Sequence, residues 1–340
     1  MQNTTAKEVQ HPTIFDATTC VRKGLCPVSS IRNKDDPLES HSLYFEQHGT
    51  GPEKVIFIMG LNSSSFAWEW QVKHFAQIPT YSLLVFDNRG VGNSGSPRGP
   101  YTTSGMAEDA IALLNYVGWA EHRDLHVVGV SLGGMIAQGN DYNSCLSLLE
   151  LASRIPERII SLTLIVTTPG GGQWPNLPPW KGLASLVRLM FIKDIDTKIH
   201  TILEMIVPLE WLSLPAEDDP QGRTNREVLL EVYRRRIATT RPQKFIGHVS
   251  QMAAALTHHV TPERLREISR SIPKVLILTG DEDNLVRPTG SYRLKESMPE
   301  AELIEWEKSG HGLSMQHNKR FNELLERVFK EGRQRAEALN

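Results

Sequence analysis

Short apolar runs rich in β-branched residues recur along the chain: Val55 to Ile58, Leu83 to Phe86, Leu125 to Val128, Leu162 to Val166, Val275 to Leu278 and Leu303 to Trp306. Segments with helical spacing separate them. Strands alternating with helices predict an α/β fold, a mostly parallel sheet with helices on both faces. Ahead of these runs, Leu43 to Glu46 followed by Gly49-Thr50-Gly51-Pro52 reads as a strand and turn leading into Val55, an antiparallel hairpin at one sheet edge. Residues 1–25 show no period and are expected to be poorly ordered.

The alternation lapses between Val166 and Val275. This stretch opens with Pro169-Gly170-Gly171-Gly172, carries Ile199, Ile202, Leu203 and Ile206 at helical spacing, and offers no strand pattern. It is expected to be a helical cap, or lid, over the sheet, so that residues 26–168 and 273–340 form the core and 169–272 the cap. Within it Trp174, Trp180, Trp211, Met190, Met205 and Met252 either line an apolar pocket or pack the cap down. Phe321, Leu324, Leu325 and Val328 mark a helix face expected to pack on the chain's own sheet, and no feature fixes the oligomeric state.

Composition narrows the classes. The chain has 340 residues, 40% hydrophobic and 22% charged, which suits one large α/β domain or a domain carrying an insertion. Its 37 basic and 39 acidic residues leave a net charge of −2, so nucleic acid and anionic membrane are not expected partners. A small-molecule substrate is. No run has the length of a membrane span, and residues 1–10 lack the apolar core of a signal peptide. Cys20, Cys26 and Cys145 are an odd set whose spacing matches no zinc or redox motif. No metal site and no disulfide framework are expected, and a reducing, cytoplasmic location fits. The sequon at Asn62 agrees, because a glycan there would crowd the chemistry described next.

That chemistry centres on Gly129-Val130-Ser131-Leu132-Gly133, which follows the strand pattern ending at Val128 and precedes Met135-Ile136-Ala137, a helix start. A serine on so sharp a strand-to-helix turn is a nucleophile elbow candidate: the turn lifts the hydroxyl clear of the sheet, and the glycines let the helix pack close behind. Such a five-residue match arises by accident roughly once in ten chains of this length. Its partners therefore decide. A serine hydroxyl needs a base oriented by a third group. Among twelve histidines, His311 alone sits in a glycine-flanked loop, Ser309-Gly310-His311-Gly312, after a late strand. His258-His259 falls in a helical pattern, where a packed or solvated role is expected.

The orienting acid should end the preceding strand, where Asp281, Glu282 and Asp283 follow Gly280. Asp283 is preferred, since a residue past the turn can reach back across the strand ends while the other two lie in it. An oxyanion hole needs backbone amides, and those of Leu61 and Leu132 are the candidates. Ser63, Ser64 and Ser65 either cap the next helix or touch substrate. Gly90-Val91-Gly92-Asn93-Ser94-Gly95 spells a dinucleotide fingerprint, but Pro97, Gly99 and Pro100 follow where a phosphate-binding helix should begin. No cofactor is expected, and Asp87 and Arg89 are read as braces of that loop.

With the order Ser131, Asp283, His311, the chain resembles the α/β-hydrolase superfamily, in its serine-nucleophile esterase and small-molecule hydrolase branch. The resemblance spans Tyr44 to Phe329 and includes Asp87-Asn88-Arg89-Gly90-Val91-Gly92-Asn93-Ser94 and the Gly280 to Asp283 turn. It implies a catalytic triad acting by acyl transfer to water. A carboxylic ester is the favoured substrate, with thioester, lactone and carbon–carbon bond cleavage as alternatives on the same machinery. A non-catalytic ligand-binding protein on the same fold is the alternative of another class.

Two departures stand out. Met59 occupies the place before the oxyanion-loop glycine where the superfamily usually has histidine. Residues 139–149 interrupt the helix after the elbow with turn chemistry, Gly139, Asn140 and Asp141, and are expected to form a bulge or to be a translated stretch that the mature message lacks.

Overall fold

A computed structural model describes residues 11–30, 39–138, 151–171 and 176–339. Among these residues eight strands form one sheet: β1 (Cys20–Ser30), β2 (Glu39–His48), β3 (Glu53–Ile58), β4 (Tyr81–Phe86), β5 (Leu125–Val130), β6 (Ile159–Ile165), β7 (Lys274–Gly280) and β8 (Glu302–Trp306). Their order is β1-β2-β4-β3-β5-β6-β7-β8, parallel from β4 to β8, with β1 and β2 antiparallel at one edge. Every residue of β5, β6 and β7 is buried. Strands covered on both faces need no polar side, which is why they read as unbroken apolar runs.

Alternate residues of each strand face different layers. On one face Ile56, Ile58, Leu84, Val127, Leu162 and Ile277 pack in a cluster with residues of α2 (Thr103–Tyr116), α3 (Leu132–Gln138) and α4 (Leu151–Arg154). On the other, Val55, Phe57, Val85, Val128, Leu276 and Leu278 meet α1 (Glu69–Phe75) and the C-terminal α13 (Asn318–Glu337). That helix buries Phe321, Leu324, Leu325 and Val328, the apolar stripe of its sequence.

The remaining helices are α5 (Trp180–Leu189), α6 (Ile195–Ile206), α7 (Leu209–Ser213), α8 (Asn225–Thr239), α9 (Phe245–Thr257), α10 (Pro262–Ser271), α11 (Pro288–Ser297) and α12 (Leu313–Gln316). Buried apolar residues within 169–272 contribute to two clusters. Ile199, Leu203, Val207, Leu212 and Leu229 cluster with Met315 of α12 in a small second core, whereas Leu265 and Ile268 of α10 join the main core.

Two expectations are corrected. Strand β2 pairs with β4, Phe45 opposite Phe86, and not with β3. The glycine turn runs along the start of β4, with the Gly51 amide donating to the Tyr81 carbonyl and Glu53 to Thr80, so β3 enters on the far side of β4. The poorly ordered segment expected over 1–25 is also wrong for its described part: Cys20 to Leu25 belong to β1, and buried Phe15 packs edge-on against Phe66 and His48. As an edge strand paired on one side only, β1 exposes Val21 and Leu25 while burying Cys26 and Val28, which hides its pattern. Residues 139–149 and Trp174 lie outside the described residues.

His258 caps α9 and is wholly buried, its Nδ1 3.1 Å from Thr103 Oγ1. Burial, with His259 adding to it, pushes its pKa down from 6.5 to about 3. The unfolded chain therefore takes up this proton first as the pH falls. The stabilisation is complete above pH 6.5 and is lost between there and pH 3. At 1.36 kcal/mol per unit, roughly 3 kcal/mol is expected to be lost by pH 4. Urea unfolding of the native chain and of His258→Gln between pH 7 and 4 checks this: the variant should show the shallower pH dependence, and equal slopes would contradict it.

Candidate active site

Strand β5 ends at Val130, and the next residue, Ser131, has a φ of 55°, in the left-handed region that side chains avoid. Such a conformation costs about 1–3 kcal/mol and persists only where its surroundings over-determine it. Here the Ser131 amide donates to the Ile165 carbonyl at 2.9 Å, and Thr167 Oγ1 and the Met135 amide both donate to the Ser131 carbonyl, at 2.8 and 3.1 Å. Close packing explains the flanking glycines. A Cβ on Gly129 would lie 2.5 Å from the Gly133 carbonyl oxygen, and one on Gly133 would lie 2.1 Å from that of Ile58.

Beyond β7, the chain turns at Gly280, packed against the Ser309 carbonyl. Asp281 accepts the Ser309 amide at 3.1 Å, so it ties the two loops together from within the turn. Asp283 faces inward with its side chain fully buried. Its Oδ1 accepts the amides of Leu285 and Val286 at 2.7 and 2.9 Å, and its Oδ2 lies 2.7 Å from His311 Nδ1. A carboxylate only accepts, so the proton of a neutral His311 sits on Nδ1 and Nε2 keeps its lone pair. The His311 side chain remains 11% exposed. Its loop is held by three further bonds: Gly310 amide to Gln316 Oε1, Gln316 Nε2 to the Lys308 carbonyl, and Gly312 amide to the Ile206 carbonyl of α6.

The loop after β3 passes directly beside the serine, with the space for a Cβ on Gly60 only 3.1 Å from Ser131 Cβ. Asn88 Nδ2 holds the Met59 carbonyl at 2.8 Å, and Gln251 Oε1 accepts the amide of Asn62, whose φ is 58°. Leu61 lies between these two anchors. Leu132 opens α3, where the first amides have no carbonyl one turn back within the helix. Leu61 thus follows the glycine that lies beside the serine, and Leu132 follows the serine itself. Met59 itself packs against the β-sheet core, and its carbonyl, not its side chain, is fixed by the neighbouring loop.

Ser65 gives both its amide and its hydroxyl to Asp87 Oδ1, which also braces Asn93 through Oδ2. Arg89 makes a two-pronged bond to Asp109 at 2.6 and 2.7 Å. These groups are structural props. The glycine fingerprint runs through this loop, and α2 starts only at Thr103, capped by Thr102.

Sequence reasoning missed Gln251, Thr167, Asn88 and Gln316. Gln251 carried a signal, a polar residue before the apolar run Met252-Ala253-Ala254-Ala255, and it is fully buried with Nε2 on the Arg89 carbonyl. The two roles offered for the cap's Trp and Met residues, lining a pocket or packing the cap down, both fail for Trp180, which is 81% exposed; Met190 is 49% exposed, while Met205 is buried. A cavity of about 290 Å³ lies beside the Asp283 turn, bordered by Met135, Thr168, Leu285, Val286 and Arg293 but by neither Ser131 nor His311. Among the described residues, no helix is long and apolar enough to cross a membrane.

Comparison with known proteins follows the same outline. A sequence model described as "Alpha/beta hydrolase family" matches residues 48–324. The chain is 26% identical over 286 residues to the putative carbamate hydrolase RutD of Caulobacter segnis, covering 83% of this chain and 94% of that protein. It is 26% identical over 280 residues to the rhodomycin D methylesterase DnrP of Streptomyces peucetius, covering 77% and 85%. A crystal structure from work on carboxylesterases of the thaumarchaeon Nitrososphaera gargenis superposes with a TM-score of 0.66 at 17% identity, over 91% of this chain and 99% of that one.

Proposed function

The chain belongs to the alpha/beta hydrolase family, and from that premise we propose that it is a serine hydrolase cleaving a small carboxylic ester through an acyl-enzyme on Ser131. The observation that carries this reading is the Asp283–His311 pair at 2.7 Å, with the other carboxylate oxygen pinned by two amides. Ser131 Oγ attacks the carbonyl carbon while His311 Nε2 takes its proton. The imidazolium that forms is stabilised by Asp283, and the amides of Leu61 and Leu132 receive the charge developing on the carbonyl oxygen. His311 then returns the proton to the leaving alcohol. In the second half it draws a proton from water, which attacks the acyl carbon, and passes that proton to Ser131 Oγ as the acyl–oxygen bond breaks and the acid leaves.

Residues 169–272 are read as the cap that shapes the acyl and alcohol sites. Their α6 and α9 support this, since they bond to the loops carrying His311 and Leu61 through Ile206 and Gln251. The names of two relatives, a carbamate hydrolase and a methylesterase, both describe attack on a carbonyl flanked by a heteroatom. No cofactor enters this chemistry. A cytoplasmic location is proposed on cysteine usage and on the sequon at Asn62.

A panel of short p-nitrophenyl esters, with a thioester, a lactone and an aryl carbamate beside them, tests the reading. Short esters should turn over, with a burst of p-nitrophenol approaching one equivalent of chain when deacylation limits. Saturable binding without turnover of any member would instead support a ligand-binding protein on a hydrolase fold.

A further inference from the structure

At the sheet edge away from Ser131, strand pairing sets Cys20 opposite His48, and Glu46 projects from the same face of β2 two residues earlier. The β1 register shifts between Cys20 and Arg22, a bulge beside this pair. The Cys20 sulfur, a Glu46 carboxylate oxygen and a His48 ring nitrogen all lie within 4.8 Å of one another. Glu46 and His48 are fully buried, and Cys20 is partly exposed. Linear spacing gave no motif because the three ligating atoms come from two strands.

The hydrogen bonds around them leave a gap of one positive charge. Thr19 has one hydroxyl proton; placed on the Asp16 carbonyl at 3.0 Å, it leaves the Thr19 oxygen, 2.9 Å from His48 Nδ1, to accept from the ring. Nδ1 therefore carries the imidazole proton and Nε2 a lone pair. Tyr44 donates to Glu46 Oε1 at 2.7 Å, leaving Oε2 bare. Glu46 Oε2 and His48 Nε2, both buried and without a hydrogen-bond partner, face each other at 3.5 Å. Two acceptors held this way are costly unless a cation stands between them.

We propose that Cys20, Glu46 and His48 bind a divalent, zinc-type cation that pins the start of β1 to the end of β2. Zinc bonds to nitrogen and oxygen of roughly 2.0–2.2 Å at the tetrahedral angle separate those atoms by roughly 3.3–3.5 Å, the spacing present here. The thiolate is the third ligand, drawn in as the ion enters from its exposed side, and water completes the tetrahedron. Thr19 is the outer partner that fixes the His48 tautomer, as metal-bound imidazoles commonly require. The Cys20 thiol gives its proton to solvent as the metal–sulfur bond forms. The role is structural: His48 lies opposite Leu83, near the start of β4, whereas Ser131 follows the other end of the parallel strands.

The test uses the full-length chain freed of metal by chelator, titrated with Zn²⁺ against a chromophoric chelator and with Co²⁺ by absorption. One ion per chain is expected, with a tetrahedral Co²⁺ spectrum and a thiolate charge-transfer band. Cys20→Ser should remove that band, and Cys26→Ser should keep it. Thr19→Val should keep the band but weaken Zn²⁺ binding by roughly 10–100-fold, and His48→Gln should weaken it further. Thermal melts of each metal-free variant confirm that it is folded. Absence of stoichiometric binding by the native chain would overturn the site and leave a buried imidazolium–carboxylate pair. A charge-transfer band surviving Cys20→Ser would also overturn it. Neither result bears on the hydrolase reading.

Discussion

Replacing Ser131 with alanine is expected to lower kcat on a short ester by on the order of 10⁴–10⁶ and to abolish covalent labelling by a fluorophosphonate. The loss is large because the hydroxyl is the only group removed and no neighbour replaces it as nucleophile; what persists is binding and the two amides. The fold should tolerate the change, since alanine at a φ of 55° is strained no more than serine and the three bonds holding this residue use its backbone. A thermal melt close to that of the native chain separates lost chemistry from lost structure.

Ser309 makes the sharper control. Its hydroxyl is 3.0 Å from His317 Nε2, a serine–histidine contact that distance alone could nominate. Yet that hydroxyl gives its proton to the Glu307 carbonyl at 3.0 Å, so it accepts from the ring and is not activated. Ser309→Ala should still be labelled. Labelling of Ser131→Ala at the same rate as the native chain would contradict the assignment.

How much of this was readable in the chain depends on how local each feature is. Strands β3 to β7 were legible because burial on both faces demands apolar runs. β1 was not, because an edge strand with Val21 and Leu25 exposed has no such demand. The pairing of β2 with β4 is a property of sheet order, invisible to the turn at Gly49 to Pro52 that suggested a hairpin.

The same division runs through the candidate site. Ser131, Asp283 and His311 each sit on a glycine-marked turn beyond a strand, so local sequence announces them. Gln251, Thr167 and Asn88 act on backbone groups of distant elements, and their neighbours in sequence do not reveal the partner. Trp180 shows the converse failure: an aromatic in a helical pattern suggested a pocket wall or a packing contact, and it stands exposed.

Asp283→Asn is expected to lower kcat by on the order of 10⁴, and Asp281→Asn by less than about tenfold. The two carboxylates stand two residues apart, and their hydrogen bonds set the difference. The amides of Leu285 and Val286 both donate to Asp283 Oδ1, so in the asparagine variant they hold the amide oxygen in that position and turn its NH₂ toward His311. His311 Nδ1 must then accept, the ring proton moves to Nε2, and Nε2 can no longer take the proton of Ser131. The lost step is proton abstraction, so kcat should fall at saturating ester while KM changes little. Asp281 accepts a single amide from Ser309, and an asparagine oxygen can serve there unchanged. Steady-state kinetics of the two variants side by side decide between them: an Asp283→Asn enzyme within tenfold of the native rate, or an equal loss in Asp281→Asn, would place the orienting acid elsewhere.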